Sequence, residues 1–132
     1  MNYYKDIMGM HYKYKTKEVL STFDSKKLKD FLDFRIKFLR EELKELETSN
    51  NADDVVDALI DLTVVAIGTL DLFDVDVDKA WSAVLEANMN KIVGMKETRK
   101  NTSDFPDLIK PHGWKPPSHV GNTGKISIIY GE

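Results

Sequence analysis

One apolar segment constrains the fold of this chain more than any other feature of its sequence. Between residues 55 and 70, aliphatic side chains surround most of the circumference of a helix: Val55, Val56, Leu59, Ile60, Leu62, Val64, Val65, Ile67 and Leu70. A helix that is apolar on nearly every side has to be buried at the centre of a bundle. Asp57 and Asp61 interrupt the segment, although aspartate is a poor helix former and a buried charge needs a partner. The segment therefore predicts both a central helix and an ionic site on it.

Length and composition limit the classes of protein to be considered. The chain has 132 residues, of which 42% are apolar, and this is enough for one compact domain with a core. Its formal net charge of -3 does not provide the basic surface that binds a nucleic-acid backbone, so we expect no nucleic-acid partner. Cysteine is absent, so a metal ion would have to bind oxygen or imidazole ligands, which favours hard cations.

The apolar stretches of the chain predict its location. Residues 1–17 mix lysine and tyrosine and lack the continuous apolar stretch of a signal peptide. The longest mainly apolar stretch, residues 59–73, is interrupted by polar residues and is shorter than the roughly 20 residues of a membrane span. We therefore expect a cytoplasmic protein with no membrane partner.

Four segments have the periodicity of amphipathic or buried helices. They are residues 4–14, residues 25–47 with an N-cap offered by Asp24 and Ser25, residues 54–73 after a cap at Asp53 or Asp54, and residues 78–92. Residues 48–51 have the short polar side chains of a turn. Because helices joined by short turns pack antiparallel, the predicted fold class is all-α, as an antiparallel helical bundle.

We expect that the bundle is completed by dimerisation. One small domain can hardly cover an apolar helix on all sides, so a second copy would cover the rest, in a homodimer or a dimer of dimers. Residues 1–96 would form the helical domain, and residues 97–132 an irregular, proline-rich tail that packs on the bundle or on a neighbouring subunit. Within the tail, residues 125–130 favour a strand, which could find its partner by exchange between subunits.

Two sets of acidic residues mark the expected site. Their members are three or four residues apart: Glu41, Glu42 and Glu45 on the long helix, and Asp54, Asp57 and Asp61 on the apolar helix. A short turn between antiparallel helices brings the two sets face to face. Several carboxylates at one buried place repel each other unless a cation such as Mg²⁺ neutralises them. For the glutamates alone, a solvated helix face that pairs with Arg40 and Lys44 is the alternative.

The strings EELKE, DVVDALID and ANMNK occur in this order between Phe31 and Lys91. They resemble the all-α nucleoside triphosphate pyrophosphohydrolases of the MazG type, which have EExxE on one helix, ExxD on the next, and an asparagine and a lysine on a third. The strings around DALID, Gly68 and NMNK are most similar to small phage-borne members, including those described as phosphoribosyl-ATP pyrophosphohydrolase-like.

The resemblance implies metal ligands at Glu42, Glu45, Asp54 and Asp57. Asp54 departs from the usual glutamate of the family, and Asp53 could substitute for it. Glu41, the remaining acid of EExxE, would accept a proton from the attacking water. Asp61 would support the ligands without touching the ion. The implied cofactor is Mg²⁺, with Mn²⁺ as a substitute.

The resemblance also implies substrate contacts. Asn88 and Lys91 match the pair that binds phosphate, and Lys91 would stabilise charge on the leaving pyrophosphate. Without the resemblance, the two could be a polar pair at a helix end. Arg35 and Phe38 would contact the base, although Phe38 could instead pack in the core. His11 resembles a residue of a helix that helps to form the nucleotide pocket.

The function that follows is Mg²⁺-dependent hydrolysis of a (deoxy)nucleoside triphosphate between its α and β phosphates, giving a nucleoside monophosphate and pyrophosphate. A deoxycytidine triphosphate diphosphatase and a phosphoribosyl-ATP pyrophosphohydrolase are alternatives within the same chemistry. A helical, dimeric interaction or regulatory module without activity is the alternative outside it. If the protein is phage-encoded, the cytoplasm is that of the host.

Overall fold

A computed structural model describes residues 1–100 and 102–132 of the chain. Its elements are α1 (Tyr3–Tyr14), α2 (Thr16–Leu20), α3 (Ser25–Thr48), α4 (Ala52–Leu72), α5 (Val77–Met89), β1 (Ile92–Val93), a 3-10 turn (Glu97–Arg99), β2 (Leu108–Ile109) and α6 (Ile126–Tyr130). The fold is mostly helical, as the sequence predicts, and the short antiparallel pair of β1 with β2 is its sheet in the described residues.

The described residues divide into two compact units. The first unit comprises Met1–Val77 and Gly121–Glu132, and it contains α1 to α4 and α6. The second unit comprises Asp78–Val120, with most of α5 and both strands. A boundary near Lys96 between a helical domain and a tail stays a prediction.

The hairpin of α3 and α4 is fixed by polar caps at its ends. As predicted, the Asp24 side chain caps α3, where it accepts a hydrogen bond from the Lys27 backbone N–H. Helix α3 ends at Thr48, and residues 49–51 form the turn. The Asn51 side chain then caps α4, because its Oδ1 accepts a hydrogen bond of 2.8 Å from the Asp54 backbone N–H.

The predicted cap of α4 at Asp53 or Asp54 is therefore wrong. Both aspartates lie in the first turn of the helix, where their charge faces the positive end of the helix dipole. Asn51 has the extended backbone that a cap requires, with φ of -147° and ψ of 162°. In addition, its Nδ2 donates a hydrogen bond of 2.8 Å to Asp54 Oδ2, so the same residue orients one of the acidic side chains.

The best-packed core lies where the C-terminal end of α4 meets α2 and the start of α3. Leu20, Leu28, Leu72 and Phe73 are fully buried there. The ring of Phe31 packs against that of Phe73, with centroids 5.7 Å apart. This core anchors one end of the hairpin and leaves the turn end free for other contacts.

Helix α4 is buried on one side. Ala58, Val65, Gly68 and Leu72 are buried. The opposite side of its first half is exposed in the single chain: Val56 is 61%, Leu59 49% and Ile60 58% accessible. As expected, a single chain does not cover this helix on all sides. Dimerisation stays a prediction. None of the helices in the described ranges is both long and apolar enough to cross a membrane.

The strand predicted for residues 125–130 is wrong, since Ile126–Tyr130 forms the short helix α6. The aliphatic and aromatic side chains gave the segment strand character, but a strand needs a partner and none is beside it. The chain instead closes against the first unit: the Lys125 N–H donates a hydrogen bond of 2.7 Å to Phe73 O, and Ser25 Oγ donates to Ile128 O. Residues 121–132 therefore pack on the bundle.

In the second unit, α5 ends at Met89 rather than near Ile92 as predicted. Ile92 belongs to β1, where it faces Ile109 of β2. Gly94 allows this pairing to be tight, since a Cβ at this position would lie 2.6 Å from Ile109 Cδ1. Trp114 connects the proline-rich segment to α5, because its indole Nε1–H donates a hydrogen bond of 2.8 Å to Ala87 O.

Candidate functional site

The antiparallel hairpin brings acidic side chains of α3 and α4 together. One carboxylate oxygen from each of Glu42, Glu45 and Asp61 lies within 4.8 Å of the other two. Glu42 and Glu45 are one turn apart on α3, and Asp61 comes from the facing side of α4. The convergence of acidic sets predicted from the sequence is therefore present, and its donor set consists of the hard oxygen ligands that Mg²⁺ prefers.

Glu42 is the least satisfied member of this acidic cluster. Its Oε2 is buried and has no hydrogen-bond partner in the described part of the chain. Burial, followed by the charges of Glu45 and Asp61, raises the pKa of the Glu42 carboxyl above its usual range. A buried, unpaired acceptor of this kind costs about 1–3 kcal/mol. A divalent cation would remove both the repulsion and the missing contact, so the residues fit a metal ion.

Asp54 and Asp57 extend the cluster toward the turn of the hairpin. With Glu45 they line a cavity of about 260 Å³, whose other walls are Thr48, Ser49 and Ala58. Asp57 is exposed, and its charge also contributes to the raised pKa of Glu42. The four acids predicted as ligands thus occupy one continuous surface.

Asp61 and Glu41 hold different positions relative to the cluster of three. Asp61, expected behind the ligands, has a carboxylate oxygen within the cluster itself and stands in the same position as a ligand. Its spacing of four residues from Asp57 was the available signal, since it puts both on the same face of α4. Glu41 is exposed and lies outside the group of three. The individual roles of these residues stay predictions.

A second ionic network lies at the other end of α4. Asp71 is completely buried, and its Oδ2 is 2.5 Å from His11 Nδ1, while its Oδ1 is 3.0 Å from Lys17 Nζ. The hydroxyl of Tyr4 donates a weaker hydrogen bond of 3.4 Å to Oδ1. Burial alone would lower the pKa of Lys17, but the hydrogen bond and charge of Asp71 outweigh it and raise the pKa.

His11, predicted as a substrate contact, is thus held in this network and is only 6% accessible. It lines a cavity of about 200 Å³ together with Lys17, Asp71 and residues of α1 and α2. Neither Asp71 nor Lys17 is among the site residues predicted from the sequence. The signal for Asp71 was the same as for Asp61, an aspartate among aliphatic residues.

Arg35 and Phe38, the predicted base contacts, lie together on α3. The Arg35 guanidinium is 5.5 Å from the centroid of the Phe38 ring. It also donates hydrogen bonds to Thr69 Oγ1 and Val65 O of α4, and burial lowers its pKa. Gly68 makes this approach possible, since a Cβ there would be 3.1 Å from Arg35 Nη2. Arg35 therefore connects the two helices on the core side of the hairpin.

Asn88 and Lys91, the predicted phosphate contacts, belong to the second unit. Asn88 is exposed near the end of α5, and the Lys91 backbone N–H donates a hydrogen bond of 3.1 Å to its carbonyl. Lys91 Nζ lies 5.5 Å from the centroid of the Trp114 ring. The two residues are therefore near neighbours on one short segment.

An antiparallel helical hairpin with acidic residues facing each other, in a mostly helical chain, is the arrangement expected from the resemblance to the MazG-like all-α nucleoside triphosphate pyrophosphohydrolases. Within that class, the family profile described as phosphoribosyl-ATP pyrophosphohydrolase matches residues 13–88, which is more than half of the chain, and the protein belongs to this family. The match includes the acidic cluster and Asn88 but ends before Lys91. A search of curated proteins found no match.

The raised pKa of Glu42 predicts the stability of Glu42→Gln. In the folded state this carboxyl binds its proton more tightly than in the unfolded chain, so its charged form lowers the free energy of unfolding at pH 7. This destabilisation disappears as the pH falls through the raised pKa, because the carboxyl is then protonated in the folded state. Without metal at pH 7, Glu42→Gln should raise the Tm by about 1–3 °C. This gain should vanish below about pH 4, where wild-type Glu42 is neutral.

Thermal melts with EDTA and with Mg²⁺ measure both parts of this prediction. Mg²⁺ should raise the Tm of the wild type, because a ligand of the folded state stabilises it, and should raise that of Glu42→Gln much less. Glu47→Gln is the matched control, since Glu47 is an exposed glutamate of the same helix outside the cluster. Equal Mg²⁺ shifts in all three proteins would contradict a metal site at Glu42.

The buried network predicts a different result for Asp71→Asn. The substitution removes the buried charge that pairs with Lys17 and replaces one of the two acceptor oxygens with an amide NH2, so the free energy of unfolding should fall by about 3 kcal/mol. Asp74→Asn, which removes a half-exposed partner of the same lysine, should cost less than about 1 kcal/mol. Urea titrations at pH 7 measure both values. A similar small cost for the two variants would mean that the network does not stabilise the fold.

Proposed function

We propose that the protein is a Mg²⁺-dependent hydrolase that cleaves a nucleoside triphosphate between its α and β phosphates. The observation that carries this proposal is the cluster of Glu42, Glu45 and Asp61, in which a buried oxygen of Glu42 has no partner within the described residues. Membership of the pyrophosphohydrolase family supports the same chemistry.

The cluster would hold the metal ion. Glu42, Glu45 and Asp61 would bind it directly, with Asp54 and Asp57 at the adjoining cavity. Bound there, Mg²⁺ would neutralise phosphate charge and lower the pKa of water. The same group of acids has too much negative charge to admit a triphosphate by itself, so the residues suit a substrate that arrives together with its cation.

The remaining site residues would bind the substrate or take part in its hydrolysis. Water attacks the α phosphorus, the bond from this phosphorus to the bridging oxygen breaks, and pyrophosphate leaves with the electron pair. Glu41, exposed beside the cluster and outside the ligand group, would accept the proton of the water. Asn88 and Lys91 would bind phosphate oxygens, and Lys91 would stabilise the charge on the leaving pyrophosphate.

The family description names the first substrate to test. Phosphoribosyl-ATP carries a triphosphate, so its hydrolysis to the monophosphate form and pyrophosphate is the same reaction. Deoxycytidine triphosphate is the alternative. The half-buried Arg35 and Phe38 are the proposed contacts for the base. Since such nucleotides are found inside cells, the proposal places the enzyme in the cytoplasm.

The central prediction is that the purified protein releases pyrophosphate from at least one substrate in a panel of nucleoside and deoxynucleoside triphosphates and phosphoribosyl-ATP. EDTA should abolish the release, and Mg²⁺ or Mn²⁺ should restore it. Asp57→Asn should lower the rate by about 100-fold, because one carboxylate of the metal surface is lost. A coupled pyrophosphate assay measures these rates.

Lys26→Ala is the control for this assay, because Lys26 is exposed at the start of α3 and should leave the rate unchanged. If the folded wild type releases no pyrophosphate from any substrate in the panel, the hydrolase proposal is wrong. The exposed apolar face of α4 would then favour the interaction module, since such a face needs a protein partner.

We also propose that the enzyme is a homodimer, or a dimer of dimers, in which the exposed face of α4 packs against its copy. Val56, Leu59 and Ile60 form this face and are about half exposed or more in the single chain. In a symmetric dimer the same face of both copies forms the contact, so each of these side chains is buried once in each subunit. One apolar face per chain is therefore enough for association.

Ile60→Gln tests the dimer. Each copy of the interface loses the burial of one aliphatic side chain, and the symmetry doubles the loss, so the dimer dissociation constant should rise by about 10- to 100-fold. Sedimentation equilibrium measures it. Val19→Gln is the matched control, since Val19 is similarly exposed, at 56% against 58%, but belongs to α2 and not to the exposed face of α4. A monomeric wild type would rule out the dimer.

A further inference from the structure

Two lysines share one aromatic ring in the second unit. Lys91 Nζ lies 5.5 Å and Lys110 Nζ 5.0 Å from the centroid of the Trp114 ring. Both distances are within the range of cation–π contacts. Lys91 follows α5, whereas Lys110 and Trp114 come from the proline-rich segment, so residues distant in the sequence converge here.

The strand pair explains this convergence. Ile92 of β1 faces Ile109 of β2 in an antiparallel register. The residue before Ile92 and the residue after Ile109 therefore face each other as well. These two residues are Lys91 and Lys110. Side chains directly opposite in an antiparallel pair point to the same side of the sheet, so the two ammonium groups are directed to one place.

Two like charges in this position repel each other, and the described residues provide no acid to offset them. No carboxylate in residues 1–100 or 102–132 lies within ion-pair distance of Lys91 or Lys110. Both ammonium groups instead lie over the face of the Trp114 ring, which carries partial negative charge. The pair is therefore a concentration of positive charge that suits an anion with two or more charges.

Trp114 is held in place by other contacts, so it acts as a fixed support for both lysines. Its indole N–H donates to Ala87 O in α5, and its backbone N–H donates a hydrogen bond of 3.0 Å to Pro111 O. The ring is half-buried. Beside it lies a cavity of about 580 Å³, also lined by Glu86, Asn90, His112 and Lys115. This volume is in the range of small-molecule sites.

We propose that Lys110, positioned beside Lys91 by Trp114, forms with it a binding site for the pyrophosphate group of the substrate and of the product. This proposal rests on the proposed function and adds to it a second lysine and the aromatic residue that pairs the two. Lys110 and Trp114 lie beyond residues 13–88, so they are not part of the segment that matches the family.

The test measures binding and turnover separately. Isothermal titration with inorganic pyrophosphate and Mg²⁺ should show about tenfold weaker binding for Lys110→Met, which keeps an apolar stem on the ring but removes the charge, whereas Lys110→Arg should bind as the wild type does. Trp114→Leu should weaken binding as well, through loss of the support. In turnover, Lys110→Met should raise KM and the inhibition constant of pyrophosphate more than it lowers kcat.

Lys115→Met is the matched control, because Lys115 lines the neighbouring cavity but is not placed over the Trp114 ring. Binding lost equally in Lys110→Met and Lys115→Met would indicate general attraction by positive charge and overturn the lysine pair. Unchanged pyrophosphate binding in Lys110→Met would overturn it too. A wild type that binds pyrophosphate through Lys110 but hydrolyses no triphosphate would support the anion site and refute the proposed hydrolase.

Discussion

Repulsion between carboxylates is the constraint on which the α3–α4 hairpin depends. A turn of three residues holds the two helices antiparallel, so Glu42 and Glu45 of α3 face Asp61 of α4. The fold therefore contains a local cost at its functional end. Proteins tolerate such costs where a ligand relieves them, and the binding of that ligand is then favoured by the strain it removes.

Helix α4 contributes apolar side chains to the core and acidic side chains to the candidate site. Its C-terminal half enters the core through Val65 and Leu72, while its N-terminal half carries aspartates on one side and exposed aliphatic residues on another. A helix of this length can serve both purposes because its two halves contact different neighbours. Gly68 lies in the C-terminal half, where the absence of a side chain leaves room for Arg35 to reach the backbone of α4 at Val65 O.

Much of this arrangement could be predicted from the sequence. Periodicity predicted the extents of α1, α3 and α4 to within a few residues, and acidic spacing predicted the convergence of Glu42 and Glu45 with the aspartates of α4. The errors arose where tertiary contacts decide. Asn51 rather than an aspartate caps α4 because of its backbone conformation, and Ile126–Tyr130 is helical because it packs on α3 rather than on a strand. Lys110 could not be predicted either, since its place depends on the pairing of β1 with β2.

The two ionic centres of α4 differ in where their positive charge comes from. Asp71 is neutralised within the chain by Lys17, and its other oxygen lies at hydrogen-bond distance from His11, so this carboxylate needs no charge from solution once the polypeptide has folded. Asp61, about 15 Å away along the helix axis at 1.5 Å per residue, has only acids beside it in its cluster and depends on charge from solution. The helical scaffold can therefore assemble before any ion arrives. If the cluster holds the proposed Mg²⁺, loss of the ion would stop the proposed reaction and leave the architecture intact, and the free concentration of divalent cations would then control the protein reversibly.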